Sequence, residues 1–203
     1  MMSTNESTEE KIKASAKVIF MQKGFAATKT RDIAEHADIN LALVNYYFRS
    51  KENLFQQIMM ESMQGFFSSM MKVFFDEASS LDEKLNTLAS AYIDMLISQP
   101  NMPLFILNEL QSNPEKFVKK VSAGAHLKNS VLFKQIIETL GPDKSAKLNP
   151  VHLFMNLMGL IVFPFIGRPM FHFAMGVEQK EFNKMMQERK ELIPIWIKDM
   201  ISA

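Results

Sequence analysis

Three consecutive side chains, Asn45, Tyr46 and Tyr47, have the chemistry to contact a nucleic acid. An asparagine amide can pair with adenine through two hydrogen bonds in the major groove, and a tyrosine hydroxyl can bond to a phosphate. They can do so only if a short helix presents them on its outer face. The residue types therefore predict recognition of DNA.

The sequence from Thr28 to Phe55 contains the elements that would position these residues. Thr28 can cap a first short helix, residues 38–40 form a turn, and a second helix covers about Leu41 to Tyr47. Ser50 caps a long helix that continues to about Phe75. This spacing predicts a helix-turn-helix at about residues 29–48.

The alternative is an ordinary pair of core helices. Such a pair would not need two small residues and three larger apolar residues that fill the space between the helices at this spacing. These residues are Ala34, Ala37, Ile39, Val44 and Phe48. Nor would it leave three hydrogen-bonding side chains in a row. We therefore favour the DNA-binding interpretation.

The rest of the chain has the periodicity of one helix after another, with no alternating strand pattern. We expect an all-α protein in which an N-terminal three-helix helix-turn-helix DNA-binding domain joins a helical ligand-binding and dimerisation domain. The expected domains cover residues 6–56 and 57–203. The junction lies in the long fourth helix, so we expect the two domains to be mechanically coupled.

Composition excludes several classes of site. The 203-residue chain has no cysteine, which rules out disulfides and thiolate chemistry, and it shows no catalytic, metal-ligand or cofactor motif. We therefore expect no cofactor, no metal and no enzyme activity. The polar N-terminus predicts a cytoplasmic protein, and the apolar run Val151–Gly167 is shorter than the ~20 residues that span a membrane. Residues 1–56 hold eight basic and seven acidic side chains, so DNA affinity must depend on a few well-placed cations.

The N-terminal quarter resembles the TetR family of bacterial transcriptional regulators. The resemblance is carried by Gly24-Phe25, Thr28, Ile33-Ala34, Ala37, Tyr47-Phe48, Ser50-Lys51 and Leu54. It implies a homodimer that binds operator DNA and a small-molecule effector. Asp38 replaces the glycine usual in the turn, but aspartate tolerates the left-handed conformation better than most residues. Lys29 replaces a common Thr or Ser and adds a cation near the phosphate backbone.

The resemblance assigns ten residues to the DNA interface. Lys29, Thr30 and Arg31 are expected to contact phosphates, and Asn40, Leu41 and Ala42 to face the groove. Asn45 and Tyr46 are the expected base readers, and Tyr47 and Lys51 are expected to bond to phosphates. The alternative for Tyr46 is partial packing in the domain core. With Leu41, Leu43 is expected to contact thymine methyl groups.

The C-terminal part is rich in methionine and phenylalanine, of which the chain has 17 each. Because Met fills irregular space and adapts to varied ligands, such a body can enclose a pocket for an apolar or aromatic effector. Core packing and a subunit interface need the same residues and remain alternatives. Each histidine is also explained by an ordinary core or surface position. The candidate ligand residues are Tyr92, Met95, Phe105, His126, Phe133, His152, Phe154, Met155, Met158 and Phe163.

The helices at about 150–163 and 177–201 are the expected dimer interface. The second offers a partner face of Phe182, Met185, Met186, Leu192, Ile193 and Ile197. The resulting prediction is a ligand-responsive regulator, a repressor that binds a palindromic operator as a homodimer and is released by an apolar small molecule. The alternative is a helical binding protein for apolar molecules without a role in gene regulation.

Overall fold

The computed structural model describes residues 7–112, 114–122 and 126–202. Every regular element in these ranges is helical, which confirms the predicted all-α class. The helices are α1 (Thr8–Ala27), α2 (Thr30–His36), α3 (Leu41–Phe48), α4 (Lys51–Phe75), α5 (Leu81–Ser98), α6 (Met102–Ser112), α7 (Pro114–Ser122), α8 (Val131–Ser145), α9 (Val151–Ile166), α10 (Arg168–Met175) and α11 (Gln179–Ser202), with a 3₁₀ turn at Leu127–Asn129.

The chain divides into two compact units, Met1–Met63 and Gln64–Ala203. We call them the N-terminal unit and the C-terminal unit. Their boundary lies within α4, a little later than the division at 56/57 expected from the sequence. Helix α4 therefore supplies residues to both units.

One apolar cluster holds the N-terminal unit together. Its buried members come from all four helices and are Ile12, Ala16, Ile19, Phe20, Ile33, Ala34, Val44, Phe48, Leu54 and Ile58. At the edge of this cluster Lys13 of α1 donates to Glu61 of α4 over 2.7 Å. Hydrogen bonding to Glu61 raises the pKa of Lys13, so the pair stays charged and ties the two helices together.

The helix cap at Ser50 predicted from the sequence is confirmed, and Ser7 and Ser80 cap their helices in the same way. The hydroxyls of Ser7, Ser50 and Ser80 accept backbone N–H groups three residues on, at 3.2, 3.1 and 3.2 Å. Thr28 differs from the prediction, because it ends α1 and Lys29 occupies the N-cap of α2. The Thr28 hydroxyl donates to the carbonyl of Gly24 over 2.7 Å. Gly24 has φ of +73° and interrupts α1, so its carbonyl is available to this side chain.

Two prolines of the C-terminal unit lie within helices. Pro164 lies inside α9, and Pro169 lies in the first turn of α10. A proline at 164 cannot donate to the carbonyl of Leu160, four residues earlier. Arg189 of α11 donates to that carbonyl over 2.8 Å, so a side chain replaces the missing helical hydrogen bond.

Within the described ranges no single helix is long and apolar enough to cross a membrane. The α9–α10 pair, bent by 58°, meets the criterion only when its two helices are taken together, by length and composition alone.

Candidate nucleic-acid interface and effector cavity

The turn between α2 and α3 has the geometry expected from its sequence. Asp38 adopts φ of +51°, which confirms that an aspartate takes the left-handed conformation here. The N–H of Ile39 then donates to the carbonyl of Ala34 over 3.1 Å and closes the end of α2. This turn sets the angle at which α3 leaves α2.

Helix α3 separates its packing side chains from its polar ones. Val44 and Phe48, four residues apart, are each 2% exposed and hold the helix against the core. Asn45, Tyr46 and Tyr47 are exposed, and Tyr46 is 78% exposed. The alternative that Tyr46 packs in the domain core therefore does not hold. None of these three side chains makes a hydrogen bond within the described residues.

The start of α3 differs from the prediction that Asn40, Leu41 and Ala42 all face the DNA groove. The amide oxygen of Asn40 accepts the N–H of Ala42 over 2.8 Å, so Asn40 is the N-cap and only its NH₂ group is left for a partner. Leu41 is half-buried and packs against the apolar cluster. Ala42 and Leu43 are exposed and offer the apolar surface at this end of the helix.

The start of α2 carries the predicted phosphate contacts. Lys29 and Arg31 are exposed and form no ion pair among the described residues, and Thr30 is half-buried. The carboxylate of Asp32 accepts the N–H of Lys29 over 3.1 Å and pairs with Lys23 over 3.1 Å. The Lys29 N–H bond, and after it Lys23, lower the pKa of Asp32. Asp32 thus organises the start of α2 and leaves Lys29 and Arg31 available to an anion.

Lys51 has a second role that the sequence did not reveal. Its ammonium group donates to the carbonyls of Phe25 and Thr28, at 2.9 and 3.0 Å, and lies 4.3 Å from the centroid of the Phe25 ring. A lysine bonded to the carbonyls at a helix C-terminus stabilises that end. Lys51 therefore connects the start of α4 to the end of α1, with one N–H left for another acceptor.

The C-terminal unit contains an apolar cavity of about 420 Å³. Its walls come from α4, α5, α7, α9 and the segment 126–128. The lining residues are Phe67, Met70, Met71, Phe74, Leu88, Tyr92, Val118, His126, Leu127, Lys128, Phe154 and Met158. Pockets that hold small ligands in proteins are of this size and have this apolar character.

Comparison with known proteins is decisive for the N-terminal unit. Residues 12–58 match the sequence model of bacterial regulatory proteins of the tetR family. The N-terminal unit therefore carries a DNA-binding domain of the tetR type. The match spans α1 to α3 and the start of α4, which are the elements that position the exposed face of α3.

The whole chain is similar to characterised folds of this kind. It is 26% identical over 198 residues to the probable HTH-type transcriptional regulator YttP of Bacillus subtilis (strain 168), covering 96% of this chain and 94% of that protein. A TetR/AcrR-family regulator from Thermobifida fusca has the same fold, with a TM-score of 0.60, 14% identity and coverage of 92% of this chain and 96% of that one. The FadR regulator of Bacillus subtilis, in complex with stearoyl-CoA, matches with a TM-score of 0.50, 17% identity and coverage of 90% and 96%.

The structure brings together four of the ten ligand residues expected from the sequence. Tyr92, His126, Phe154 and Met158 line the cavity. Met95, Phe105 and Phe133 are buried but do not line it, although the Phe133 ring lies 5.9 Å from that of Phe154. His152, Met155 and Phe163 are exposed.

Sequence reasoning missed the wall that α4 contributes to the cavity. Phe67, Met70, Met71 and Phe74 recur at helical spacing and share one side of α4. Their spacing was a usable signal, but the same spacing is typical of ordinary core residues. Lys128 was also missed, because no pattern around it distinguishes it from any surface lysine.

The expected partner face on α11 needs correction. Phe182, Met186, Ile193 and Ile197 are at most 3% exposed, because they pack inside the C-terminal unit. They are therefore not available to a second subunit. Met185 and Leu192 are exposed, at 43% and 38%, as the prediction requires. The sequence identified an apolar helix correctly but could not say which apolar side faces its own core.

Proposed function

We propose that the protein is a transcriptional repressor of the TetR family. It binds a palindromic operator as a homodimer and is released when an apolar small molecule occupies its cavity. The observation that carries the proposal is the outer face of α3. Asn45, Tyr46 and Tyr47 are exposed there without internal hydrogen bonds among the described residues, on a helix anchored by Val44 and Phe48. Burial of these anchors fixes the direction of the polar face before DNA arrives, which reduces the ordering cost of binding.

The ten DNA-interface residues divide by the role that we propose for them. Lys29, Thr30 and Arg31 contact phosphates from the start of α2, and Tyr47 bonds to a phosphate through its hydroxyl. Asn45 and Tyr46 read base edges, with Ala42 beside them. The Asn40 NH₂ group, the half-buried Leu41 and the remaining N–H of Lys51 contribute secondary contacts.

Dimerisation is supported by exposed apolar side chains on α9 and α11. On α9, Met155, Gly159 and Phe163 recur every four residues on one exposed side. A Cβ atom added to Gly159 would meet no other atom within 4 Å, so another helix can approach closely there. On α11, Leu192 and the 52%-exposed Ile195 are also exposed apolar residues. In a symmetric dimer each such patch meets its own copy.

Light scattering tests the dimer. We expect a dimer at micromolar concentration and a monomer for Phe163→Glu, which places a charge in the proposed interface. Leu104→Glu is the matched control, because Leu104 is a 62%-exposed apolar residue on α6. A monomeric wild-type protein contradicts the proposal, as does dissociation caused equally by both substitutions.

The effector response is supported by the position of the cavity. Its wall includes α4 residues Phe67, Met70, Met71 and Phe74, and the same helix begins at Lys51 in the N-terminal unit. A ligand that moves this wall therefore changes the spacing of the two reading helices in a dimer. FadR of Bacillus subtilis, which has this fold, forms a complex with stearoyl-CoA, a molecule with a long apolar chain.

The effector response is tested by measuring whether the effector and operator DNA change each other's binding affinity. An effector shifts DNA binding only by its differential affinity for the two arrangements, about 1–3 kcal/mol in typical cases. Operator DNA must then weaken effector binding by the same factor. Effector affinity is measured by calorimetry with and without a saturating operator duplex. Equal affinities would leave the cavity without a regulatory role.

A further inference from the structure

The polar groups of the cavity are all able to donate hydrogen bonds. They belong to the side chains of three lining residues, Tyr92, His126 and Lys128. Among the described lining residues there is no carboxylate. A ligand with hydrogen-bond acceptors and negative charge is therefore favoured over one with donors and positive charge.

Tyr92 is the most informative of these groups. It is 6% exposed, and its ring packs edge-on against Phe66 at a centroid distance of 4.7 Å. Its hydroxyl makes no hydrogen bond within the described residues, so it is available to a ligand in the cavity. Burial raises the pKa of Tyr92 to about 12, so the hydroxyl stays protonated and can donate.

Lys128 supplies the charge. It is exposed beside the apolar lining and forms no ion pair with any described residue. The aromatic rings of Phe67, Phe74 and Phe154 could instead attract a cation through their faces. A positive charge next to Lys128, with no lining carboxylate among the described residues to offset it, would be repelled. The balance of charge at the cavity therefore selects an anion.

We propose that the effector is an apolar molecule that ends in an anionic group, with its apolar part in the cavity and the anion bound by Lys128. The inference rests on the proposed effector role of the cavity and adds the chemical class of the ligand. The anion can be a free carboxylate or the phosphate of a larger head group. These two sources share the chemistry that Lys128 recognises.

Isothermal titration of the full-length protein tests the charge requirement. The probes are dodecanoate, dodecan-1-ol and dodecyltrimethylammonium, each below its critical micelle concentration. We expect dodecanoate to bind about tenfold or more tightly than dodecan-1-ol, as a charge-assisted hydrogen bond predicts, and the cationic probe to bind most weakly. Dodecanoyl-CoA in a parallel arm decides the source of the anion, because the tighter of the two anionic probes identifies it.

Substitutions locate the effect. Lys128→Gln should lower dodecanoate affinity about tenfold and leave dodecan-1-ol affinity unchanged. Lys134→Gln, an exposed lysine of α8 outside the lining, should change neither. Tyr92→Phe should weaken both probes, because both can accept from its hydroxyl, and it preserves the ring packing.

Several results would overturn the inference. They are equal affinities for dodecanoate and dodecan-1-ol, tighter binding of the cationic probe than of the anionic ones, or no binding of either anionic probe. An anionic probe whose affinity is unchanged by Lys128→Gln would also overturn it. The proposed function fails separately, when a bound probe of any charge leaves operator affinity unchanged. A neutral compound that binds the cavity and releases DNA would contradict the requirement for an anionic group and would support the proposed effector response.

Discussion

The two units use apolar residues in opposite ways. In the N-terminal unit, Val44 and Phe48 fill their space completely and fix the direction of α3. In the C-terminal unit, Phe74 and Phe154 pack against each other with ring centroids 6.1 Å apart, beside a cavity of about 420 Å³. Full packing fixes one orientation of α3, as sequence-specific DNA binding requires. Incomplete packing leaves room for a ligand and for movement.

The largest expected effect tests this contrast directly. Phe48→Ala should destabilise the N-terminal unit by about 3–5 kcal/mol, because a fully packed phenylalanine leaves a cavity. Phe154→Ala should cost less, since one side of that ring already borders empty space. Urea unfolding is followed by circular dichroism for both units and by the fluorescence of the single tryptophan, Trp196, for the C-terminal unit. A larger loss for Phe154→Ala would contradict the contrast.

Substitution of Lys51 distinguishes its contribution to stability from its proposed contact with DNA. Lys51→Met removes the donor to two carbonyls and should cost about 1–3 kcal/mol of stability. Lys72→Met, at an exposed position of the same helix, should cost little. If Lys51 also meets a phosphate, the substitution lowers the salt dependence of DNA binding by about one counterion. An unchanged unfolding free energy would show that the carbonyl contacts contribute nothing.

Pro164 and Arg189 should be energetically coupled. Arg189→Met leaves the Leu160 carbonyl unpaired and should destabilise the C-terminal unit by about 1–2 kcal/mol. In a Pro164→Ala background the helix can supply its own N–H, so the same change should cost less. A double-mutant cycle on unfolding free energies measures the difference. Strict additivity would mean that Arg189 does not compensate for the proline.

This pair also shows where sequence reasoning stops. Caps such as Ser50 and Ser80 depend on neighbours within four residues, so the sequence could predict them. So could the left-handed Asp38, whose turn is local. The hydrogen bond from Arg189 to Leu160 joins positions 29 residues apart, and no local pattern indicates that it rescues a proline inside a helix.

The candidate sites follow the same division. The exposed triplet Asn45, Tyr46 and Tyr47 was predictable because a short helix that only packs in a core rarely carries three polar side chains in a row. The lining of the cavity was predictable only in part, because the same phenylalanines and methionines serve a core, an interface or a pocket. Only their placement in three dimensions separates Phe154, which lines the cavity, from Phe133, which does not.

The smallest expected effect concerns acid stability of the N-terminal unit. The pKa of Asp32 is lowered in the folded protein from its usual 3.8, so its stabilising contribution is present above that value and is lost as the pH falls through the folded pKa. Asp32→Asn should therefore lower the melting temperature at neutral pH and have a diminishing effect as the pH falls below about 3.8. Melting curves across this range measure it. A difference that is constant with pH would contradict the role of the charge.

The central claim is that the outer face of α3 reads DNA sequence, and selection from a pool of random duplexes tests it most directly. Wild-type protein should enrich an inverted repeat whose half-site centres lie about one helical turn, ~34–36 Å, apart. Asn45→Ala should enrich the same repeat with a relaxed preference at one base pair per half-site, losing about 1–3 kcal/mol of discrimination. Its unfolding free energy should stay within about 0.5 kcal/mol of wild type, because Asn45 is exposed. Enrichment of no sequence, or of an identical motif with undiminished preference by Asn45→Ala, would contradict the account.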